Sequence, residues 1–186
     1  MTLRTALLAL AFVLLAAAPA DAKRRRSFGG GGGSSFNSNG TFGLGIELGG
    51  PTGLNGKYFL TPSTALNFGV GYDNERYYGY RYRRNGLNLY IDHLWHPFVL
   101  AEGGAVQIPF YVGVGVRFWS FNDRDDFDGT AIGVRAPLGI AFDFNNIPLD
   151  IFLQLTFVLD FYTDDYRDDT IGLHLEGSIG ARFWFN

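Results

Sequence analysis

The sequence predicts an all-β fold in which eight antiparallel strands run up and down and close into a barrel. Its clearest support lies between Leu149 and Phe161, where every odd-numbered residue is a large hydrophobe and the even-numbered ones include Asp150, Gln154 and Asp160. A two-residue period places these two sets on opposite faces of a strand. Similar alternation recurs in seven other segments. The composition, with 26 glycines and 17% aromatic residues, is typical of closely packed strands.

The first four predicted strands set apolar residues against a face of glycine and polar residues, as a two-sided strand requires. The alternation is weakest in the second strand and is lost after His93 in the fourth. A continuation of the fourth strand through Val99 or Leu100 would leave a turn at 102–104. The spans, with their apolar positions, are about 41–49 (Phe42, Leu44, Ile46, Leu48), 54–60 (Tyr58, Leu60), 65–72 (Leu66, Phe68, Val70, Tyr72) and 86–93 (Leu87, Leu89, Ile91).

The last four predicted strands are longer and alternate more regularly. The seventh is longer than an average strand of a globular protein and suits a strand that crosses a bilayer. The spans, with their apolar positions, are 108–118 (Ile108, Phe110, Val112, Val114, Val116, Phe118), 132–144 (Ile132, Val134, Ala136, Leu138, Ile140, Phe142, Phe144), 149–161 (the odd-numbered residues) and 171–185 (Ile171, Leu173, Leu175, Ile179, Phe183, Phe185).

The chain divides into three predicted parts. Residues 1–22 have a basic start at Arg4, a short apolar run and small residues before a cleavage point after Ala20 or Ala22, which is the pattern of a secretory signal peptide. Residues 23–40 are basic and rich in glycine and serine, which predicts a disordered linker. Residues 41–186 form the barrel. The absence of cysteine excludes disulfides, and a net charge of −3 gives no reason to expect nucleic acid binding.

The composition of the two strand faces indicates which one lies inside. In a soluble barrel the polar face meets water and should be rich in lysine, glutamate and threonine. Here it consists mostly of glycines with isolated charges, which suits the crowded lumen of an eight-stranded barrel and leaves the apolar face to lipid. We expect the inward charges to form an ionic network that plugs the lumen. Its predicted members are Glu47, Lys57, Arg117, Arg135, Asp143, Glu176 and Arg182.

The aromatic residues give a second indication of a membrane. If the N-terminus lies on the periplasmic side, rings from distant segments fall at two common depths, as the interfacial girdles of a membrane barrel require. The predicted periplasmic girdle contains Phe42, Tyr58, Trp95, Phe110, Phe142, Phe144, Phe183 and Phe185, and the predicted outer girdle contains Tyr72, Phe118 and Phe161.

These patterns resemble the small eight-stranded outer-membrane proteins of the OmpA and OmpX kind over about residues 41–186, and the alternation of Ile179, Ala181, Phe183 and Phe185 resembles the C-terminal strand of that class. The resemblance implies a monomer in the bacterial outer membrane, in contact with membrane lipid and lipopolysaccharide. It also implies recognition by the barrel-assembly machinery during biogenesis. Because it rests on architecture, it implies no particular activity.

The predicted outer loops carry charges of both signs. A basic, tyrosine-rich loop suits contacts with proteins or sugar phosphates, and two acidic loops suit divalent cations among anionic headgroups, although solvated loops are the simpler interpretation. The candidate contact residues are Arg76, Tyr77, Tyr78, Tyr80, Arg81, Arg83 and Arg84 in the first loop, Asp123, Asp125 and Asp126 in the second, and Asp164, Asp165 and Asp168 in the third.

The strongest candidate for catalysis is the set His174, Glu176 and Ser178 on the inner face of strand 8. Such residue types serve in hydrolases, but neighbours on one strand face lie about 6–7 Å apart and the lumen gives a lipid no route to them. We therefore predict no catalytic residues, no cofactor and no metal site. The predicted role is to anchor the exposed loops for structural, adhesive or surface-interaction purposes. The alternatives are a narrow pore, a lipid-A-modifying barrel enzyme, and a soluble lipocalin-like barrel whose apolar faces line a cavity.

Overall fold

A computed structural model shows an all-β protein of eight antiparallel strands, and it describes residues 36, 38, 40–76, 83–122, 128–163 and 171–185. Each strand alternates between outward and inward side chains, as the sequence periodicity predicts. The strands are β1 (Phe42–Gly49), β2 (Thr52–Thr61), β3 (Thr64–Arg76), β4 (Arg83–Glu102), β5 (Val106–Asn122), β6 (Asp128–Phe144), β7 (Leu149–Tyr162) and β8 (Ile171–Phe185).

The strands form one ring-like sheet in which every strand pairs with its neighbours in the sequence and β1 also pairs with β8. The strands are staggered. A path that starts at Trp184 and steps between paired residues once around the ring returns to β8 at His174, ten residues from its start. A stagger of this size over eight strands tilts them by about 40° to the axis of the ring. We call the interior of the ring the lumen.

The two ends of the ring differ in their connections. At the first end, which we call the turn end, β1 begins, β8 ends and the hairpins close at 62–63, 103–105 and 145–148. At the opposite end, the loop end, β1 and β2 are joined through Gly50 and Pro51. Gly49 there has a φ of 131°, which favours glycine.

Several strands extend beyond their predicted ends. β3 and β4 stay paired as far as Arg76 and Arg83, so the prediction that placed Arg76, Arg83 and Arg84 in a loop was wrong for their backbone. A polar hairpin can continue its hydrogen-bonded ladder without an apolar pattern, which is why periodicity missed this part. β4 runs on to Glu102 through two irregularities between Trp95 and Ala101. The other predicted loop contacts, Tyr77, Tyr78, Tyr80, Arg81, Asp123, Asp125, Asp126, Asp164, Asp165 and Asp168, lie outside the described residues.

The ring has apolar side chains outside and polar side chains inside. Among the described residues, 29 large hydrophobic side chains are exposed, nearly all on outward faces of strands. The arginines, Lys57 and the carboxylates of the lumen are buried, and His174 is partly buried. Glycines allow this crowding: a Cβ atom on Gly69 would lie 2.5 Å from Cε1 of the buried Tyr90 ring, so a larger residue fits there only if that ring shifts.

Candidate functional site in the lumen

The structure places all seven residues of the predicted ionic network in the lumen, where each side chain is buried. They come from β1, β2, β5, β6 and β8. Glu176 joins Arg117 and Arg135, whereas the contacts of Glu47, Lys57 and Arg182 described below are with other residues of the lumen. The structure also adds four carboxylates to this region: Asp73, Asp92, Asp150 and Asp160. Three of these, Asp92, Asp150 and Asp160, occupy inward positions of the predicted alternation, so the periodicity held the information needed to find them.

Arg117 on β5 is the centre of the polar contacts toward the loop end. Its Nε donates to Asp160 Oδ1 at 2.9 Å, and its Nη atoms form ion pairs with Asp160, Glu176 and Asp73, the last at 3.4 Å. The planar guanidinium thus binds three carboxylates from three strands at once. The guanidinium also lies over the ring of Trp119, with its carbon 5.1 Å from the ring centroid.

Arg135 on β6 extends this network. Its Nε donates to Asp92 Oδ1 at 3.0 Å, and its Nη1 donates to Glu176 Oε2 at 3.2 Å. Because Glu176 accepts from both arginines, the two groups form one connected unit. Asp73, Asp92, Arg117, Arg135, Asp160 and Glu176 are called the loop-end cluster below.

A smaller group lies nearer the turn end. Arg182 on β8 donates from Nε and Nη2 to both oxygens of Asp150, at 3.0 to 3.2 Å, and from Nη1 to the amide oxygens of Asn55 and Asn67 at 3.1 Å. Its guanidinium carbon lies 4.2 Å from the centroid of Phe152. Asn55, Asn67, Asp150 and Arg182 are called the turn-end cluster below.

Glu47 and Tyr90 lie between the two clusters. The hydroxyl of Tyr90 donates to Glu47 Oε2, and Asn55 Nδ2 donates to the same oxygen at 3.3 Å. Arg135 of the loop-end cluster lies over the Tyr90 ring, 4.1 Å from its centroid. Polar contacts therefore run along most of the described length of the lumen.

The last polar group of the lumen lies closest to the turn end. Lys57 Nζ lies 2.8 Å from His96 Nε2 and about 5 Å from the ring centroids of Phe59 and Tyr111. The ring of Phe36 stacks on His96, with the centroids 5.0 Å apart. Sequence reasoning missed Phe36, because the glycine- and serine-rich composition around it gives no strand or core pattern.

The predicted girdle residues lie on outward faces of the strands. Near the turn end, Tyr58, Trp95, Phe183 and Phe185 are exposed, and Phe42, Phe110, Phe142 and Phe144 are partly exposed. Contacts link some of them across strands, such as Phe42 with Phe185 at 5.9 Å and Phe98 with Phe110 at 5.1 Å between centroids. Tyr72, Phe118 and Phe161 are exposed toward the loop end.

The residues of the hydrolase hypothesis are engaged in different contacts. His174 Nε2 lies 2.9 Å from the hydroxyl of Tyr162 and 3.2 Å from Asp160 Oδ2, whereas Glu176 binds Arg117 and Arg135. Ser178 pairs through its backbone with Gln154 and Gly49. The structure thus joins His174 to Asp160 and Tyr162, and it does not build a relay from Glu176 through His174 to Ser178.

Within the described ranges, no group of three or more histidine, aspartate or glutamate side chains is placed to hold a metal ion. No helix in the same part of the chain is long and apolar enough to cross a membrane. Comparison of the chain with protein-family models, curated proteins and solved structures found no match.

Proposed function

We propose that this chain is an integral outer-membrane β-barrel of a bacterium, closed as an eight-stranded cylinder, with a plugged polar lumen. Its function would be to anchor exposed charged and aromatic loops for structural, adhesive or surface-interaction roles. The observation that carries the proposal is the distribution of side chains: arginines and carboxylates are buried inside the ring, and Leu, Ile, Val and aromatic side chains are exposed outside it.

The energetics of this distribution favour a hydrocarbon surround. A monomer in water rarely exposes an apolar patch of more than about 300–600 Å², and here apolar faces follow strand after strand around the ring. Full burial of a Leu, Ile or Phe side chain contributes about 1.5–3 kcal/mol, and these side chains, about half exposed in the ring, would gain about half of that on leaving water. In hydrocarbon every backbone polar group needs a partner, and the pairing of β1 with β8 supplies one at the seam of the ring.

The alternatives fit the same observations less well. A soluble lipocalin-like barrel needs apolar side chains around a central cavity, but this lumen is filled by Arg117, Arg135, Arg182 and their partners. A narrow pore needs a continuous open path, and an eight-stranded ring filled by such pairs leaves little room for one. A lipid-A-modifying enzyme needs a nucleophile joined to a base, and Ser178 lacks such a link to His174 in the contacts described above.

A matched pair of substitutions tests the membrane-spanning role. Leu155 lies near the middle of β7, and Ile147 lies in the 145–148 turn, and both side chains are 49% exposed. We expect Leu155→Arg to destabilise the protein folded in lipid vesicles by about 2–4 kcal/mol, because it places a cation at the depth of hydrocarbon, and Ile147→Arg to destabilise it by at most about 1 kcal/mol. The measurement is urea-dependent folding into vesicles, followed by tryptophan fluorescence.

Equal effects of the two arginines, or a parent protein that stays monomeric in water without detergent, would contradict the proposal. The pore and enzyme alternatives have separate tests. Purified protein in planar bilayers would conduct ions if the lumen is open, and incubation with lipid A would release or transfer an acyl chain if the barrel is an enzyme.

A further inference from the structure

Phe36 is the most unusual side chain at the turn end of the ring. It precedes β1 by six residues and belongs to no strand, yet only 3% of it is exposed. It packs in an apolar cluster with three residues that point into the lumen from β2, β3 and β8, namely Phe59, Ala65 and Trp184. The chain before β1 therefore returns its aromatic side chain into the mouth of the ring.

The contacts of Phe36 cover this mouth. Its ring lies 5.0 Å from His96 in a stacked arrangement and 5.6 Å from Phe59, and Phe59 lies 5.5 Å from Trp184. Val99 of β4 packs against the same cluster. Side chains from β2, β3, β4 and β8 thus surround a residue that the sheet itself does not hold.

Three described residues between Phe36 and β1 make close contacts, namely Ser38, Gly40 and Thr41. Ser38 Oγ donates to the carbonyl oxygen of Gly40 at 2.7 Å. Gly40 lies so close to Trp184 that an added Cβ atom would be 2.9 Å from the Cβ of that tryptophan. Thr41 is joined to β2, since Phe59 N donates to Thr41 O at 2.8 Å.

An amine and an imidazole lie next to the Phe36 ring. His96, on which Phe36 stacks, lies 2.8 Å from Lys57 Nζ, and both side chains are at most 2% exposed. Lys57 is one of only two lysines in the chain, the other being Lys23. Chemical labelling of the Lys57 amine can therefore measure whether a reagent reaches the lumen from the turn end.

We propose that Phe36 is a stopper in the turn-end mouth of the lumen, held there by its packing against Phe59 and His96. Because Phe36 takes part in no strand ladder, it can leave the mouth without breaking a pairing of the sheet. Its departure would open the aromatic chamber around Lys57 and His96, while the clusters built on Arg182 and Arg117 would still fill the lumen beyond. The proposal depends on the ring and its mouth, and it holds whether or not the ring spans a membrane.

Amine labelling of the folded protein in detergent tests the stopper. We expect an N-hydroxysuccinimide ester of acetic acid to modify Lys23 rapidly and Lys57 slowly, with Lys23 serving as the internal reference in mass spectrometry. Phe36→Ala should raise the labelling rate of Lys57 relative to Lys23 at least tenfold. Phe28→Ala, a matched change in the same N-terminal segment, should leave that ratio within twofold of the parent value.

Two results would overturn the proposal: rapid labelling of Lys57 in the parent protein, or a ratio for Phe36→Ala equal to that of the parent. If Phe36→Ala does not fold, thiol labelling decides, since the natural chain contains no cysteine. The thiol introduced by Phe36→Cys should react with a maleimide at least tenfold more slowly than the thiol introduced by Phe28→Cys. Equal rates would show that position 36 lies outside the mouth.

Discussion

The loop-end and turn-end clusters fill the same lumen with different chemistry. The loop-end cluster joins two arginines to four carboxylates, and Glu176 bridges the arginines. The turn-end cluster is one arginine and one carboxylate completed by the neutral amides of Asn55 and Asn67. One is a charged network, and the other is a single ion pair with amide partners.

This difference shows how a fully buried charge can be accommodated in two ways. A buried ion is costly unless its partners supply both charge and hydrogen bonds. At the turn end, amide oxygens complete the hydrogen bonding of Arg182 without adding charge. At the loop end, three carboxylates share Arg117, so the loss of this one cation affects all three. The loop-end cluster should therefore be the more sensitive of the two to loss of an arginine.

Arg117→Ala is expected to have the largest effect. It removes the cation that binds Asp73, Asp160 and Glu176, and it leaves buried carboxylates with Arg135 as the remaining arginine of the cluster. Breaking a buried ion pair by removing one partner costs about 3–5 kcal/mol. We expect a loss in this range in urea unfolding in detergent micelles. A loss below about 1 kcal/mol would contradict the dependence of these carboxylates on Arg117.

Arg182→Ala is expected to have a smaller effect. It leaves one carboxylate, Asp150, without its arginine, and the remaining partners are neutral amides that can bind water. Removing one partner of a buried ion pair costs about 3–5 kcal/mol, and because a single carboxylate loses its cation here, we expect a loss near the lower end of this range. The same unfolding assay measures this loss beside that of Arg117→Ala. If Arg182→Ala were the more damaging of the two, the comparison between the clusters would be reversed.

The contrast between the clusters was only partly accessible from the sequence. Alternation along the strands placed Arg117, Arg135 and Arg182 on the inner face, and the same periodicity placed Asp150 and Asp160 there. What it could not supply is which arginine meets which carboxylate. Partners such as Arg117 and Asp160 are 43 residues apart, and the stagger that sets their relative height arises from the whole ring.

The position of Phe36 was inaccessible for a different reason. A single aromatic residue in a glycine- and serine-rich segment has no periodicity, and its burial depends on a mouth formed by residues from four strands. The ends of β3 and β4 were also missed, because paired polar residues beyond the apolar band carry no alternating pattern. The hydrophobic periodicity thus predicted the strands that form the wall of the ring, but it did not predict the structure at the two ends of the ring.

The subtlest expected effect is the coupling between substitutions. Arg117 and Glu176 share a direct ion pair, so their double-mutant cycle, built from Arg117→Ala and Glu176→Gln, should give a coupling energy of about 1–3 kcal/mol. Arg117→Ala and Asp150→Asn change residues of separate clusters, and their effects should add within about 0.5 kcal/mol. Urea unfolding of the parent, the three single variants and the two double variants measures both cycles. Strong coupling in the second cycle would show that Glu47 and Tyr90, which lie between the clusters, join them into one network.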